Sequence, residues 1–218
     1  FKALLFLGAG CIIHAVHSNE MSAMGGLRRY MPVTHATFLI ACLAIAGIWP
    51  LSGFFSKDEI LTACFAFSPV MGWVMTGIAG LTAFYMFRLY YLIFWWKEHK
   101  VPEGHHAPHD QPWTMTLPLV ILAVISCFAG FVPFGNLVTW NGHPMFGHVG
   151  FFTNLEHLDW SVAAVSLAVA IIAIAIATVM YKKENPLPAK FKNALPTLWD
   201  WCHHRFYCCL LYTSDAAD

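Results

Sequence analysis

Apolar residues in this chain gather into long runs, and polar residues fall between the runs. Five runs stand out: residues 1–16, 35–66, 70–96, 113–133 and 160–181. Crossing the roughly 30 Å hydrocarbon core of a bilayer takes about 20 helical residues. The last three runs have that length and predict transmembrane helices. The first is short, as expected of a helix cut at its start, and no charged leader or cleavage site marks it as a signal peptide. The second is too long, since some 30 residues in one helix would reach about 45 Å. Gly47, Pro50 and Gly53 fall near its middle. A proline cannot donate to the helix ladder, and its ring disturbs the preceding turn. The pattern therefore predicts an all-α fold: a polytopic transmembrane helix bundle of about five membrane segments, one of them a discontinuous helix.

Basic residues sort the connections into two kinds. Arg28 and Arg29 follow run one, Lys97 and Lys100 follow run three, and Lys182, Lys183, Lys190, Lys192 and Arg205 follow run five. The connections around Ser68 and across residues 134–159 carry neither Lys nor Arg. Positive connections lie on the cytoplasmic side, which predicts that runs one, three and five end there. Trp95, Trp96, Trp113, Trp140 and Trp160 stand at run ends or in connections, where interfacial aromatics belong. Run five has no ionisable group and many alanines, which suits close helix packing. Pro118 lies in the first turns of run four, where proline is tolerated. Leu195, Leu198, Trp199 and Trp201 give the following stretch an amphipathic character. After Tyr207 the character changes, and residues 208–218 are expected to be a translated cloning or sequencing artefact.

Composition agrees with a membrane protein. The chain is 58% hydrophobic and only 11% charged, against about 25% charged for a soluble domain. Its net charge is zero, so nucleic acid is not an expected partner, whereas the lipid bilayer is. Seven cysteines at positions 11, 42, 64, 127, 202, 208 and 209 include no CxxC pair, so neither a zinc site nor a disulfide framework is indicated. His99, His105, His106 and His109, with Glu103 and Asp110, lie in a Pro-rich polar connection with no ordered scaffold. No metal site is expected from them. No glycine-rich dinucleotide fingerprint is present.

The candidate chemistry lies inside run two. Lys57, Asp58 and Glu59 follow Pro50 directly, with apolar sequence on both sides. Ionisable groups at membrane depth are rare and usually face a protein interior or a water-filled path, where they carry ions or protons. Broken transmembrane helices expose backbone polar groups only where protein or water covers them, and transporters place ion sites there. A lysine in such a place exchanges its proton as its surroundings change, which arginine does not. The plainer reading of Lys57 is a snorkelling lysine at a helix end. Asp58 and Glu59 are adjacent and cannot share one helix face, so one is expected to point at a polar interior and the other outward. Arg88, about two turns from the boundary of run three, reads as a snorkelling residue. His14 reads as an interfacial histidine.

Three motifs carry a family resemblance: Phe1-Lys-Ala-Leu-Leu-Phe-Leu-Gly-Ala-Gly10, Met24-Gly-Gly-Leu-Arg28 and Gly53-Phe-Phe-Ser-Lys-Asp-Glu-Ile-Leu61. In order and spacing they resemble the antiporter-like membrane subunits of NADH:quinone oxidoreductase, respiratory complex I, of the subunit L type. They are less similar to the large subunits of Mrp-type Na⁺/H⁺ antiporters. The resemblance covers residues 1–207. It implies an inverted-repeat antiporter-like fold, with residues 1–67 holding the end of one helix plus the discontinuous helix of the second repeat. Residues 68–96 would be the last helix of that repeat. Residues 97–182 would be two additional transmembrane helices with their connections, 183–207 a cytoplasmic connection and 208–218 the foreign tail. The family's histidines before its central lysine and its first repeat would lie upstream of Phe1.

The resemblance also assigns roles. Lys57 matches the lysine of the discontinuous helix, Asp58 its acidic neighbour and Lys2 the lysine of the preceding helix; His14 is placed toward the cytoplasmic surface. These residues, with Glu59, would relay protons in the bacterial plasma membrane. The chain would hold no cofactor, with NADH, FMN, Fe–S clusters and quinone bound by other subunits. Its partners would be other membrane-arm subunits, especially the neighbouring antiporter-like subunit. A Na⁺/H⁺ antiporter subunit is the alternative.

Overall fold

The computed structural model describes residues 1–21, 24–96, 108–132, 139–140, 143–144, 159–182, 188, 193 and 196–203. Most described elements are helical. In order they are α1 (Lys2–Val16), a 3-10 turn (Leu27–Arg29), α2 (Pro32–Ala46), α3 (Ser52–Phe67), α4 (Pro69–Phe94), α5 (Trp113–Phe128) and a second 3-10 turn (Ala129–Phe131). Two-residue strands β1 (Thr139–Trp140) and β2 (His143–Pro144) pair antiparallel. The helices α6 (Trp160–Tyr181) and α7 (Pro196–His203) complete the order. Residues 1–183 form one compact unit, and α7 lies in a second, residues 184–218. The His99, His105, His106 and Glu103 group, the basic residues from Lys183 onward, Lys97, Lys100 and the tail 208–218 lie outside the described residues.

Helix boundaries follow local chemistry. Pro32 and Pro69 stand at the first positions of α2 and α4, where a missing N–H costs nothing. The second apolar run is two helices, α2 and α3, reaching Pro32 on one side and Phe67 on the other. The fourth run ends its α-helix at Phe128 and continues as a 3-10 turn to Phe131. Helix α5 accommodates Pro118 within its length.

The aromatic-rich C-terminal half of α4 holds the main core. Phe87, Tyr90, Tyr91 and Phe94 pack with Phe38 and Cys42 of α2 and Ala170 and Ala177 of α6. Helices α4 and α6 lie side by side, joined by the Tyr91 hydroxyl and Thr178 Oγ1 at 2.9 Å. The alanine face of α6 allows that close approach. A second cluster joins Leu4 and Cys11 of α1, Ala41 of α2 and Leu119 and Ala123 of α5.

The outer surface is apolar. Trp73 and Leu81 of α4, Ile121 and Ile125 of α5, and Ile172 and Val179 of α6 are all exposed. Such a surface belongs in lipid or against other chains. Helices α4 and α6, and α5 with its 3-10 extension, are each long and apolar enough to cross a membrane. The chain is a membrane protein whose described residues are mainly helical.

The ends of runs one, three and five meet at one end of the bundle. Arg28 lies 3.8 Å from the ring centre of Trp95, and Lys182 lies 5.0 Å from the same ring. The shared indole gathers both cations through its negative face.

Candidate functional site

The break between α2 and α3 is built from backbone first. Gly47 adopts φ +82, a left-handed conformation that stops α2. Its N–H donates to the Ala44 carbonyl at 3.1 Å, and the Ile48 N–H reaches back to the Leu43 carbonyl at 3.2 Å. This pair of bonds is the Schellman arrangement, and it satisfies carbonyls that a helix end leaves open. A turn then runs from Ile48 to Leu51, closed by the Leu51 N–H on the Ile48 carbonyl at 3.0 Å, with Trp49–Pro50 in the cis form.

The two half-helices overlap. Gly53, in the first turn of α3, lies directly against the Ala44 carbonyl, and a Cβ there would collide with it. The lengths show why. Phe38 of α2 packs on Phe94 at the end of α4, while Phe65 of α3 packs on Trp73 near its start. Helix α4 has 26 residues, about 39 Å, whereas residues 32–67 as one rod would run about 54 Å. Sliding the start of α3 past the end of α2 removes the excess.

The overlap sets Lys57 back onto α2. Its Nζ donates to the Ala46 carbonyl at 3.2 Å. Its stem lies over Gly47, where an added Cβ would come within 2.9 Å of Lys57 Cδ. Gly47 thus supplies both the turn and the room for the lysine. No carboxylate among the described residues pairs with Lys57. A carbonyl accepts a hydrogen bond from an ammonium or from a neutral amine. The contact therefore holds the nitrogen in place without fixing its charge, as a carboxylate partner would.

The remaining sequence candidates separate. Asp58 is only 2% exposed, and its Oδ1 has no hydrogen-bond partner among the described residues. Glu59, its neighbour, is exposed. Lys2 stands exposed in the first turn of α1, and no hydrogen bond or ion pair among the described residues joins it to Lys57. His14 is exposed near the end of α1, with its ring edge-on to His17 at 6.0 Å. Arg88 is exposed, with its guanidinium 5.5 Å from the Tyr181 ring.

Two arrangements escaped sequence reasoning. Asp110, grouped above with the histidines, caps a distant helix. Its carboxylate accepts from the Val33 N–H at 2.9 Å, the Thr34 N–H at 3.2 Å and the Thr34 hydroxyl at 2.8 Å. The only local hint was Met31 before Pro32, a helix start with no capping side chain. The second is a polar knot near the shared indole. The Tyr90 hydroxyl accepts from Trp95 Nε1 at 3.1 Å and lies 2.7 Å from His35 Nε2. The Asp110 cap and the His35–Tyr90 contact join residues far apart in sequence, so no spacing announces them.

Residues 1–82 match the model of the NADH:quinone oxidoreductase/Mrp antiporter transmembrane family. Over 95% of its length the chain is 39% identical to NAD(P)H-quinone oxidoreductase chain 5 of a Picosynechococcus strain, covering 36% of that protein. Over 86% of its length it is 40% identical to NADH-quinone oxidoreductase subunit L of Mycobacterium tuberculosis, covering 30% of that protein. The chain thus spans about a third of the length of the curated relatives it matches. Residues 1–82, the part of the chain similar to the NADH:quinone oxidoreductase/Mrp antiporter transmembrane family, carry the helix break and Lys57.

Proposed function

We propose that this chain is part of a proton-translocating membrane-arm subunit of respiratory NADH:quinone oxidoreductase. The observation that carries the reading is the Lys57 amine, held on the Ala46 carbonyl at an interrupted membrane helix with no carboxylate pairing it among the described residues. The names of the similar proteins give the enzyme to which such a relay would belong. Lys57 exchanges the proton, Asp58 accepts or passes it on the buried face of α3, and Lys2 serves the same path from α1. Glu59 and His14, both exposed, would act at the ends of the path. Redox energy arrives from NADH oxidation and quinone reduction in other subunits of the enzyme complex.

The subunit would sit in the bacterial plasma membrane, with the Arg28, Trp95 and Lys182 end on the cytoplasmic side, and would pack against a neighbouring antiporter-like subunit. Lys57→Ala in the full-length subunit of the assembled complex is the test. Proton translocation per NADH oxidised falls, while assembly and NADH oxidation are disturbed less. A normal ratio in that variant rejects the role. The matching family model also spans Mrp antiporters, which gives Na⁺/H⁺ exchange as a second reading. Purifying the parent complex with or without NADH-oxidising subunits decides between the two.

A further inference from the structure

Two buried side-chain oxygens have no hydrogen-bond partner among the described residues: Asp58 Oδ1 and Thr62 Oγ1. They stand one turn apart on α3. Residues four apart share a helix face, with Cβ atoms about 5–6 Å from each other. Buried polar atoms are nearly always paired, and an exception calls for an explanation such as an ordered water.

Thr62 is exceptional in a second way. Thr37, Thr76, Thr82 and Thr178 each donate to the carbonyl four residues earlier, at 3.0, 2.8, 2.8 and 2.7 Å. Thr62 has the equivalent carbonyl of Asp58 within its own helix and makes no bond to it. Its hydroxyl is free for another partner on the Asp58 face.

We propose that Asp58 and Thr62 hold a water molecule between them, and that Thr62 is a positioning residue for proton transfer at Asp58. This rests on the proton-translocating reading of Lys57. The two oxygens do not bond directly, and they stand one turn apart on one helix face. Thr62 donates its hydroxyl hydrogen to the water, which donates one of its own to Asp58 Oδ1. In the transfer step the carboxylate gains a proton as the water loses one. The water regains a proton from an ammonium or hydronium donor behind it, and Thr62 keeps its own. Water and threonine are unchanged at the end of the step.

The test uses the full-length subunit in the assembled oxidoreductase. Thr62→Val keeps the shape and removes the hydroxyl, and Thr62→Ser restores it. Thr62→Val lowers protons translocated per NADH oxidised by twofold or more with assembly intact, and Thr62→Ser returns the ratio to normal. A high-resolution cryo-EM map of the unsubstituted complex shows density within about 2.6–3.2 Å of both oxygens, and the density is lost in Thr62→Val. Lys57→Ala is measured alongside. If it leaves the ratio normal, the proton reading fails and this proposal with it. If it lowers the ratio while Thr62→Val behaves as wild type, or if no density bridges the oxygens, this proposal alone fails. Density that appears only with added sodium also overturns it.

Discussion

Gly47→Ala tests how the break holds its lysine. A left-handed backbone costs a non-glycine residue roughly 1–2 kcal/mol, and Gly47 sits at φ +82. The added methyl would stand 2.9 Å from Lys57 Cδ, whereas carbon atoms rest at about 3.5–4.0 Å. The stem must therefore retreat by roughly 0.6–1.1 Å. The Lys57 bond to the Ala46 carbonyl is already 3.2 Å long, the outer edge of good N–H···O geometry at about 3.2 Å, so that retreat breaks it. A bond involving a charged group contributes about 1.5–3 kcal/mol, and Lys57 is only half-buried, which favours the lower figure. The backbone cost falls on the folded state whether or not the lysine is docked, so loss of the bond alone disfavours the docked lysine by about 1.5 kcal/mol, roughly tenfold in population. Gly47→Asn separates them, because asparagine visits the left-handed region more readily but adds the same Cβ. The assay is protons translocated per NADH oxidised in proteoliposomes carrying the full complex, with the Lys57 position read from cryo-EM maps. Both variants undock the lysine and lower the ratio, and Gly47→Ala also lowers thermal stability more than Gly47→Asn. A normal ratio in Gly47→Asn with the lysine visibly undocked would refute the claim that this contact matters to transport.

Two further outcomes follow from the helix starts. Asp110→Ala removes three hydrogen bonds from the first turn of α2, and loss of a cap costs about 1–2 kcal/mol. The thermal midpoint of the purified complex falls, and Asp110→Asn recovers part of it; an unchanged midpoint in Asp110→Ala counts against the capping role. Asp159 accepts from the Ser161 hydroxyl at 2.6 Å and its N–H at 3.1 Å, and these bonds hold its carboxyl below the ordinary carboxylate range. A depressed value means that the cap is in full force above about pH 4, the ordinary carboxylate value, and is lost as pH falls through the lower folded value. Hydrogen exchange at Ser161 and Val162 is thus slow near pH 6 after correction for intrinsic rate and loses protection in acid. Asp159→Ala abolishes that pH dependence, and protection that persists in the variant at pH 6 would count against it.

Much of the fold was legible because a bilayer forces long uniform runs. Run five is bounded in sequence by Trp160 and Tyr181, and those are the ends of α6. The length of run two and its Gly47, Pro50 and Gly53 predicted an interruption, and the helices part at Gly47. What the sequence did not carry is the direction in which the pieces move. A proline marks where a ladder fails, but only the length of α4, against which both halves pack, requires them to slide past each other. The Asp110 cap was hidden for a related reason. Local rules seek the capping oxygen beside the helix it serves, and this one comes from 76 and 77 residues away.

The overlap also decides which of two neighbouring ionisable residues meets the break. Lys57 and Asp58 differ by one position on α3 and so by about a quarter-turn or more of helix. Because α3 slides along α2, the face that carries Lys57 meets the end carbonyls of α2, while the face that carries Asp58 and Thr62 is buried elsewhere in the bundle. A simple kink without overlap would leave Ala46 and Lys57 eleven residues apart along one rod, about 16 Å by helical rise, too far for the lysine to reach. The lysine's position therefore follows from the overlap of α2 and α3. Inserting one residue between Pro50 and Ser52 should turn α3 by about 100°, carry Lys57 off the Ala46 carbonyl and lower protons translocated per NADH oxidised. An insertion that leaves that ratio normal would break the link between overlap and transport.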